Sequence, residues 1–390
     1  MSMFSRTDNS FLGRWWWTVD RGMLAAFIVL ILFGIVLVTT SSPPVAEAHG
    51  LGSYHFLKKH LVLLVPAFSV LVGASMLGPR SIWRAASIVF IGSLLAMVLV
   101  LFFGMEIKGA QRWLHVAGFS LQPSEFAKPA FAIVAAWFMS RQKENAKFPG
   151  NYIAAGLYLV TIGLLLMQPD LGMTFVITCI WAAQIFLAGF PFRLLIGFGA
   201  VGAAGLTTAY FVFEHVHYRV DRFFNPESGD NYQVERSLEA FQNGGLIGTG
   251  PGQGTVKQTL PDAHADFIFS VAGEEMGLVF VLIIMAIFAF VIIRGFNRLM
   301  DSDNMFTVLA VGGLLTMFGL QALVHMGSAM NILPAKGMTL PFISYGGSSI
   351  LSLGFSMGAV LALTRRQARS GVSRSGLSLK ARTMEAGSQS

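Results

Sequence analysis

Polar residues that could do chemistry lie in four short segments, each next to the end of a long apolar run. In one segment, Glu125 and Lys128 stand three residues apart in a helix that should begin near Pro123, so their side chains share a face. The two residues could form a local ion pair with a snorkelling lysine. Because a charged side chain inside an apolar run is costly, we favour a cavity that faces an anionic ligand.

A further carboxylate, Asp266, lies at the predicted head of the eighth apolar run. It could simply cap a helix there. However, the run is uncharged only from Met276 onward, and His264 lies two residues before the aspartate, so we expect the first turns to line a polar cavity. Within the run, Glu274 and Glu275 need partners if they are buried. We expect Glu275 to be structural, bonded between helices.

The remaining segments are rich in Gly and Pro. Glycines are frequent in residues 244–254, but no strand precedes them and Lys257 is not directly followed by Ser or Thr, so a nucleotide-binding loop is excluded. We expect this backbone to present free N–H groups to a ligand. Residues 333–349 should be irregular and line a wet cavity, allow close helix packing, or do both. In residues 168–172, Asp170 should cap the next helix.

The composition excludes an ordinary soluble enzyme and a disordered regulator. Hydrophobic residues make up 54% of the 390 and charged residues 12%, whereas a soluble domain carries about 25% charged residues. The formal net charge of +7 is explained by Lys and Arg in cytoplasmic loops, so no nucleic-acid partner is indicated. The single cysteine, Cys179, excludes a disulfide within one chain.

The fold class that follows is an all-α integral membrane protein, because a membrane span needs roughly 20 apolar residues. Lys and Arg accumulate in one set of alternate loops that includes both termini, so both termini should be cytoplasmic. The first run is too long for a cleaved signal peptide and is expected to be a retained anchor. The ten predicted spans are residues 22–40, 60–78, 83–103, 123–139, 151–167, 171–189, 192–213, 266–293, 305–333 and 340–364.

Three parts follow from this arrangement. Residues 1–21 are a cytoplasmic N-terminal segment, residues 22–364 a membrane domain, and residues 365–390 a basic tail that is expected to be disordered. The longest external segment, residues 214–265 between spans 7 and 8, is expected to be loop-like. Since no soluble part is long enough to act alone, any chemistry must use the helices and this loop.

Five segments resemble those of a known family: KGAQRWL, QPSEFAK, QPDLG, LPDAHADF and LPAKGMTLPFISYGGSS. They are similar to the SEDS proteins, the FtsW/RodA/SpoVE family of peptidoglycan glycosyltransferases, and most similar to its FtsW branch. The resemblance implies ten spans and an enzyme of the bacterial inner membrane at the division septum. It implies that the enzyme polymerises lipid II, a disaccharide-pentapeptide on undecaprenyl pyrophosphate, on the outer face of that membrane.

The resemblance also implies partners and site residues. The partners are a class B penicillin-binding protein, which supplies the transpeptidase, and other division proteins. In the family the catalytic aspartate lies in a segment resembling His-Thr-Asp-Phe, which matches His264 to Phe267 here, with Ala265 in place of the threonine. Lys128 matches the family's cavity lysine, and Arg112 matches the arginine before the tryptophan.

Asp266 is then the expected catalytic base. The acceptor hydroxyl must lose its proton as it attacks the anomeric carbon, and an α-linked donor that gives a β-linked polymer implies a single inverting displacement. Positive groups are needed where the pyrophosphate leaves. The candidate substrate-binding residues are Arg112, Glu125, Lys128, Lys257, His264, Lys336, Ser344 and Tyr345. No cofactor or metal ligand is predicted, and whether a divalent cation assists the pyrophosphate stays open.

Other functions stay open as well. A transporter that flips lipid II would share the intramembrane charges and broken helices. A scaffold would only recruit the penicillin-binding protein, and an elongation-type (RodA) paralogue would perform the same reaction. The ionisable residues gather near the external ends of spans 4 and 8 rather than at mid-depth, which disfavours the transporter.

Overall fold

The structure is a computed structural model, and it describes residues 10–107, 110–116, 119–212, 217, 221, 232–334 and 337–365. The chain divides into two units, with boundaries after Val19 and after Thr364. In the first unit the described helix is α1 (Phe11–Thr18), and the Ser10 hydroxyl caps it by accepting a hydrogen bond from the Gly13 N–H at 3.0 Å. The predicted tail lies outside the described residues beyond its first position.

The second unit is mostly helical. Several helices begin with proline in the first turn, which the missing N–H of proline favours, or after an Asp or Asn cap. The helices are α2 (Arg21–Ala48), α3 (His55–Met76), α4 (Pro79–Phe103), α5 (Pro123–Glu144), α6 (Gly150–Met167), α7 (Leu171–Leu187), α8 (Phe192–Val212), α9 (Tyr232–Gly244), α10 (Ile268–Met300), α11 (Met305–Ala329) and α12 (Gly347–Leu363).

Six of these helices are long and apolar enough to cross a membrane, counted over the described residues. They are α2, α3, α4, α6, α10 and α11, while α7 and α12 are apolar but 17 residues long. Each of the ten predicted apolar runs coincides with a helix. The prediction of a mostly helical membrane protein is therefore confirmed.

The connection between α4 and α5 is an exception to the helical pattern, because it forms a small antiparallel sheet. Its middle strand contains Trp113 and Val116, residue types that favour strands, but seven residues give a much weaker sequence signal than the long apolar runs beside them. The strands are, in spatial order, β1 (Met105–Ile107), β2 (Ala110–Val116) and β3 (Phe119–Leu121).

Other predicted boundaries also differ from the structure. Helix α3 begins at His55 rather than at residue 60, and α12 begins at Gly347 rather than at residue 340, because turns precede it. The segment that is predicted to be external is not simply loop-like, since it contains the amphipathic helix α9. The buried positions of α9 are Ser237, Ala240 and Gly244, at the spacing of one helix face.

Helix α10 differs from the predicted eighth span at its start and in its continuity. It begins at Ile268, so the prediction that Asp266 heads this helix is wrong; the aspartate lies in the preceding turn, where its N–H donates to the Asp262 carbonyl at 3.0 Å. The helix is broken at Gly277, where φ is 79° and ψ is 179°. The short part of α10 before the break is buried from Ile268 to Glu275.

Helices α5 and α11 lie at the centre of the bundle. In α11, 78% of the most apolar window is buried, against 22–44% for the other five candidate spans. Polar side chains on central helices face protein rather than lipid, and Glu125 and Lys128 of α5 and Gln321 and His325 of α11 are all buried. These two helices therefore carry a polar cluster inside an otherwise apolar bundle.

The far end of α10 is clamped to the start of α2. Asp20 caps α2 through the Met23 N–H and forms salt bridges with Arg294 and Arg298, both near the end of α10. Burial alone would raise the pKa of Asp20, but the hydrogen bonds from these groups outweigh burial and hold the pKa below its ordinary value. This clamp fixes the end of α10 that lies away from Asp266.

Candidate active site

The carboxylate of Asp266 lies against the backbone of Gly337, in the irregular segment between α11 and α12. A Cβ atom added to Gly337 would lie 3.2 Å from Asp266 Oδ2 and 3.8 Å from its Cγ. Gly337 also has a φ of +42°, which L side chains rarely adopt. Asp266 as a whole is half-buried.

Two residues of the same segment hold the backbone directly before Asp266. The Ser344 hydroxyl donates to the Ala265 carbonyl at 2.7 Å, and the Tyr345 N–H donates to the His264 carbonyl at 3.0 Å. The structure thus brings Ser344 and Tyr345, both predicted to bind substrate, next to the predicted base. Their observed contacts position the aspartate.

The His264 ring is buried in an aromatic cluster. Its centroid lies 4.4 Å from that of Phe56 and 5.1 Å from that of Tyr345. Burial lowers the pKa of His264 to about 4, and the nearby charge of Asp262 offsets only part of this effect. The imidazole is therefore neutral at neutral pH, and its place is inside the protein next to Asp266 rather than at an open surface.

Glu125 and Lys128 form the ion pair that their spacing allows. Lys128 Nζ lies 3.0 Å from Glu125 Oε2, and both side chains are almost completely buried. The ammonium also donates to Gln321 Oε1 at 3.3 Å. A buried charge needs such partners, because it has lost its water shell.

Gln321 connects this ion pair to the segment that contacts Asp266. Its amide nitrogen donates to the Thr339 carbonyl at 3.1 Å and to Thr339 Oγ1 at 3.2 Å. Thr339 is two positions after Gly337, which touches the aspartate. One turn along α11, His325 Nδ1 bonds the Met338 carbonyl at 2.6 Å. Sequence reasoning missed Gln321, and the available signal was an amide in the middle of an apolar helix.

Arg112 braces the turn between α6 and α7. Its guanidinium donates to the Gln168 carbonyl at 3.2 Å and to the Pro169 carbonyl, and Nε lies 3.8 Å from Asp170 Oδ2. Asp170 caps α7 by accepting from the Met173 N–H at 3.2 Å, as the sequence predicts. The described contacts of Arg112 are therefore with protein carbonyls and a carboxylate.

The Gly-rich segment is organised by Glu274. This buried carboxylate accepts hydrogen bonds from the N–H groups of Thr255 at 2.7 Å, Val256 at 2.8 Å and Lys257 at 3.1 Å. It also accepts one from the Asn243 side chain at 2.9 Å. The glutamate therefore serves as the anchor for residues 255–257, at the start of a short 3₁₀ helix (Val256–Gln258).

The expected ligand-facing roles of this segment do not match its contacts. The N–H groups of Thr249 and Gly250 donate to the carbonyls of Glu274 and Glu275 at 3.0 and 2.9 Å, so these groups are used inside the protein. The Lys257 ammonium pairs with the Glu275 carboxylate and donates to the Thr40 carbonyl at 2.9 Å. Lys257 is thus a buried structural partner that joins Glu275 of α10 to Thr40 of α2, in keeping with the structural role expected for Glu275.

Comparison with known proteins places this site in a family. A family model described as "Cell cycle protein", whose name joins FtsW, RodA and SpoVE, matches residues 21–369. The chain belongs to the FtsW/RodA/SpoVE family. The match covers α2 through α12 and therefore includes the polar cluster of α5 and α11.

Relatives of this FtsW/RodA/SpoVE protein carry consistent names. A "Probable peptidoglycan glycosyltransferase FtsW" of Caulobacter vibrioides is 43% identical over 93% of this chain and 94% of its own length. A protein of the same name from Geobacter metallireducens is 34% identical over 89% and 95%. A chain from a structure titled "Structural coordination of polymerization and crosslinking by a peptidoglycan synthase complex" superposes with a TM-score of 0.74 at 26% identity, covering 89% of this chain and 97% of that one.

The solved RodA, the rod shape determining protein of Thermus thermophilus, is also similar, with a TM-score of 0.67 at 26% identity over 90% of this chain and 99% of its own.

Lys336, predicted to hold pyrophosphate, lies outside the described residues of this family member. Among the residues that the structure does describe, no group of three or more His, Cys, Asp or Glu side chains is arranged to hold a metal ion.

Proposed function

We propose that this chain is a peptidoglycan glycosyltransferase that polymerises lipid II on the outer face of the bacterial cytoplasmic membrane during septal wall synthesis. The family, and the names of relatives that match over nearly their whole length, support the activity. The observation that carries the proposal is the half-buried Asp266, whose carboxylate lies against the Gly337 backbone and whose preceding backbone is held by Ser344 and Tyr345.

The proposed chemistry is a single inverting displacement. Asp266 takes the proton of the acceptor sugar hydroxyl as that oxygen attacks the anomeric carbon of the donor. The hydrogen bonds from Ser344 and Tyr345 hold the backbone before Asp266. Orienting the carboxylate therefore adds little to the activation free energy. Lys128, already held by Glu125 and Gln321, supplies positive charge for the departing pyrophosphate.

The proposed topology has ten spans with both termini in the cytoplasm. The coincidence of ten helices with ten apolar runs supports the ten spans. The clamp of Asp20 with Arg294 and Arg298 supports the orientation, because these arginines lie at the end of α10 away from Asp266, and positive residues should face the cytoplasm. The proposed partner is a class B penicillin-binding protein, which the similarity to a chain of a peptidoglycan synthase complex supports.

The test uses the purified full chain in detergent with lipid II and the cognate penicillin-binding protein, whose transpeptidase is blocked by a β-lactam. We expect the native chain to form glycan polymer and the Asp266→Asn variant to form none while it retains its melting temperature. Asp262→Asn is a matched control, because it removes a carboxylate from the same turn and should leave polymer formation intact.

The outcomes separate the competing functions. Polymer from Asp266→Asn at the native rate would remove Asp266 as the base. If the native chain forms no polymer but moves lipid II across vesicle membranes, the transporter is correct instead. If it does neither and still binds the penicillin-binding protein, the chain is a scaffold.

A further inference from the structure

Two large apolar side chains, Leu246 and Ile247, protrude from the Gly-rich segment. They are 68% and 85% exposed, although they belong to a segment predicted to face water outside the membrane. They lie between Gly245 and Gly248, both of which have positive φ, so the backbone turns sharply here and presents both side chains outward. We call Leu246 and Ile247 the apolar tip.

The apolar tip sits at the break in α10. The N–H groups of Leu278 and Val279, left without helical partners by the break at Gly277, donate to the Gly245 and Leu246 carbonyls at 3.0 and 3.2 Å. A Cβ atom on Gly277 would lie 2.3 Å from the Gly248 nitrogen, so the two backbones touch. The turn therefore caps the part of α10 after the break. It cannot move away without leaving the N–H groups of Leu278 and Val279 unpaired.

The other side of the break is satisfied by the same segment. The Glu274 and Glu275 carbonyls, which lose their helical acceptor role near Gly277, accept from the N–H groups of Thr249 and Gly250. Both broken helix ends thus have backbone partners from one loop. This is what non-helical backbone requires at membrane depth, where water cannot supply hydrogen bonds.

Length places the break at the edge of the hydrocarbon layer. The whole of α10 has 33 residues, or about 50 Å, which exceeds a hydrocarbon thickness of about 30 Å. The uncharged stretch from Met276 to Ile293 covers about 27 Å and is bounded by Glu275 and Arg294. The hydrocarbon layer therefore ends near Gly277, at the level of the apolar tip.

The lipid-facing surface of α10 continues into the apolar tip. Leu278, Val279 and Leu282 are strongly exposed on α10 directly beyond the break, as membrane-facing side chains are. From this continuity and depth, we propose that Leu246 and Ile247 insert among the acyl chains of the outer leaflet beside α10. The turn is then a membrane anchor for the segment that leads to Asp266, a role independent of the proposed transferase activity.

The test measures the depth of the apolar tip in a bilayer. A single cysteine at Ile247→Cys, in a full chain with Cys179→Ser, carries a nitroxide and is reconstituted into vesicles of phosphatidylethanolamine and phosphatidylglycerol. Gln253→Cys is the matched control, because it is exposed in the same segment but polar in the native chain. We expect the nitroxide at 247 to be relaxed by lipid-soluble oxygen and the one at 253 by a water-soluble nickel chelate.

The other outcomes overturn the proposal. Relaxation of the 247 label by the nickel chelate to the same degree as the 253 label would place the tip in water. Shielding of the 247 label from both reagents would mean that protein, such as a second copy of the chain, covers it. Leu246→Cys repeats the measurement at the neighbouring position, and none of these measurements depends on glycan synthesis.

Discussion

Lys128 is a charged side chain that the fold encloses, and its two partners decide what it can do. Glu125 neutralises the ammonium, and Gln321 ties it to the segment that touches Asp266. Such an arrangement could be purely structural, or it could hold a cation ready for a pyrophosphate. Stability and activity respond differently in the two cases.

Replacing Lys128 alone should destabilise the protein strongly. Lys128→Met leaves Glu125 buried without its partner, and we expect a loss of about 3–5 kcal/mol in unfolding free energy. The double variant Glu125→Gln with Lys128→Met removes both charges and should recover most of that loss. We expect it to remain inactive in glycan polymerisation, because the positive charge is still absent.

Thermal melting and polymer formation are measured on the same purified samples. A double variant that is both stable and fully active would contradict the proposed role of Lys128 at the pyrophosphate. It would leave the pair as a structural contact between α5 and α11.

His264 gives a prediction about pH. Burial holds its pKa at about 4, below the ordinary value of 6.5, so between these values the unfolded chain binds a proton that the folded chain does not. The contribution of neutral His264 to the unfolding free energy is therefore fully present above about pH 6.5 and is lost as the pH falls toward 4. From about pH 6.5 to about pH 5, this group should cost about 2 kcal/mol of unfolding free energy.

The measurement compares melting of the native chain and His264→Phe over this pH range. The variant keeps an aromatic ring against Phe56 and Tyr345 but has no proton to bind, so its stability should depend less on pH. Equal pH dependence in both proteins would mean that the histidine is not buried in its neutral form.

The residues of the site were predictable only where local spacing determines them. The pair of Glu125 with Lys128 follows from three-residue spacing, and the cap by Asp170 follows from its place before an apolar run. Gln321 and Thr339 were missed because their contact joins residues 18 apart in sequence across a turn. The contacts of Lys257 were misjudged for the same reason, since Glu275 is 18 residues away.

At the scale of elements, the break in α10 organises the Gly-rich segment. It frees two carbonyls and two N–H groups, and the Gly-rich turn satisfies all four. Two of the glycines that suggested a ligand loop, Gly244 and Gly248, are thus explained by close contact with the backbone of α10. Composition alone cannot distinguish these roles, because both need small residues with positive φ.

Gly277→Ala should disrupt this junction. The residue has a φ of 79° with ψ near 180°, a conformation that is essentially limited to glycine, and a methyl group would lie 2.3 Å from the Gly248 nitrogen. We expect a loss of about 2–5 kcal/mol in unfolding free energy, from strain and overpacking together.

Gly73→Ala in α3 is the matched control. A methyl group there meets nothing within 4 Å, so the change should be neutral or stabilise the helix by up to about 1 kcal/mol. Both variants are compared by thermal melting in detergent. A Gly277→Ala variant that melts with the native chain would show that the break does not need glycine.

At the scale of the whole molecule, each of the ten apolar runs found from hydropathy coincides with a helix, and six of those helices are long and apolar enough to cross a membrane, counted over the described residues. The reason is physical: a span must be apolar over its whole length, so the signal is local and strong. The sheet between α4 and α5 and the helix α9 lack that constraint, and they were missed. Which helices lie at the centre followed from contacts rather than hydropathy, since α11 is the most buried span without being the most apolar.

The central claim is that Asp266 takes part in the chemical step rather than in binding. The most direct test measures two quantities for Asp266→Asn with the cognate penicillin-binding protein present: its affinity for lipid II and its rate of polymerisation. We expect affinity close to that of the native chain and a rate at least about 100-fold lower, since a positioned base contributes at least that much. An Asp266→Asn variant that polymerises lipid II at the native rate would contradict the account.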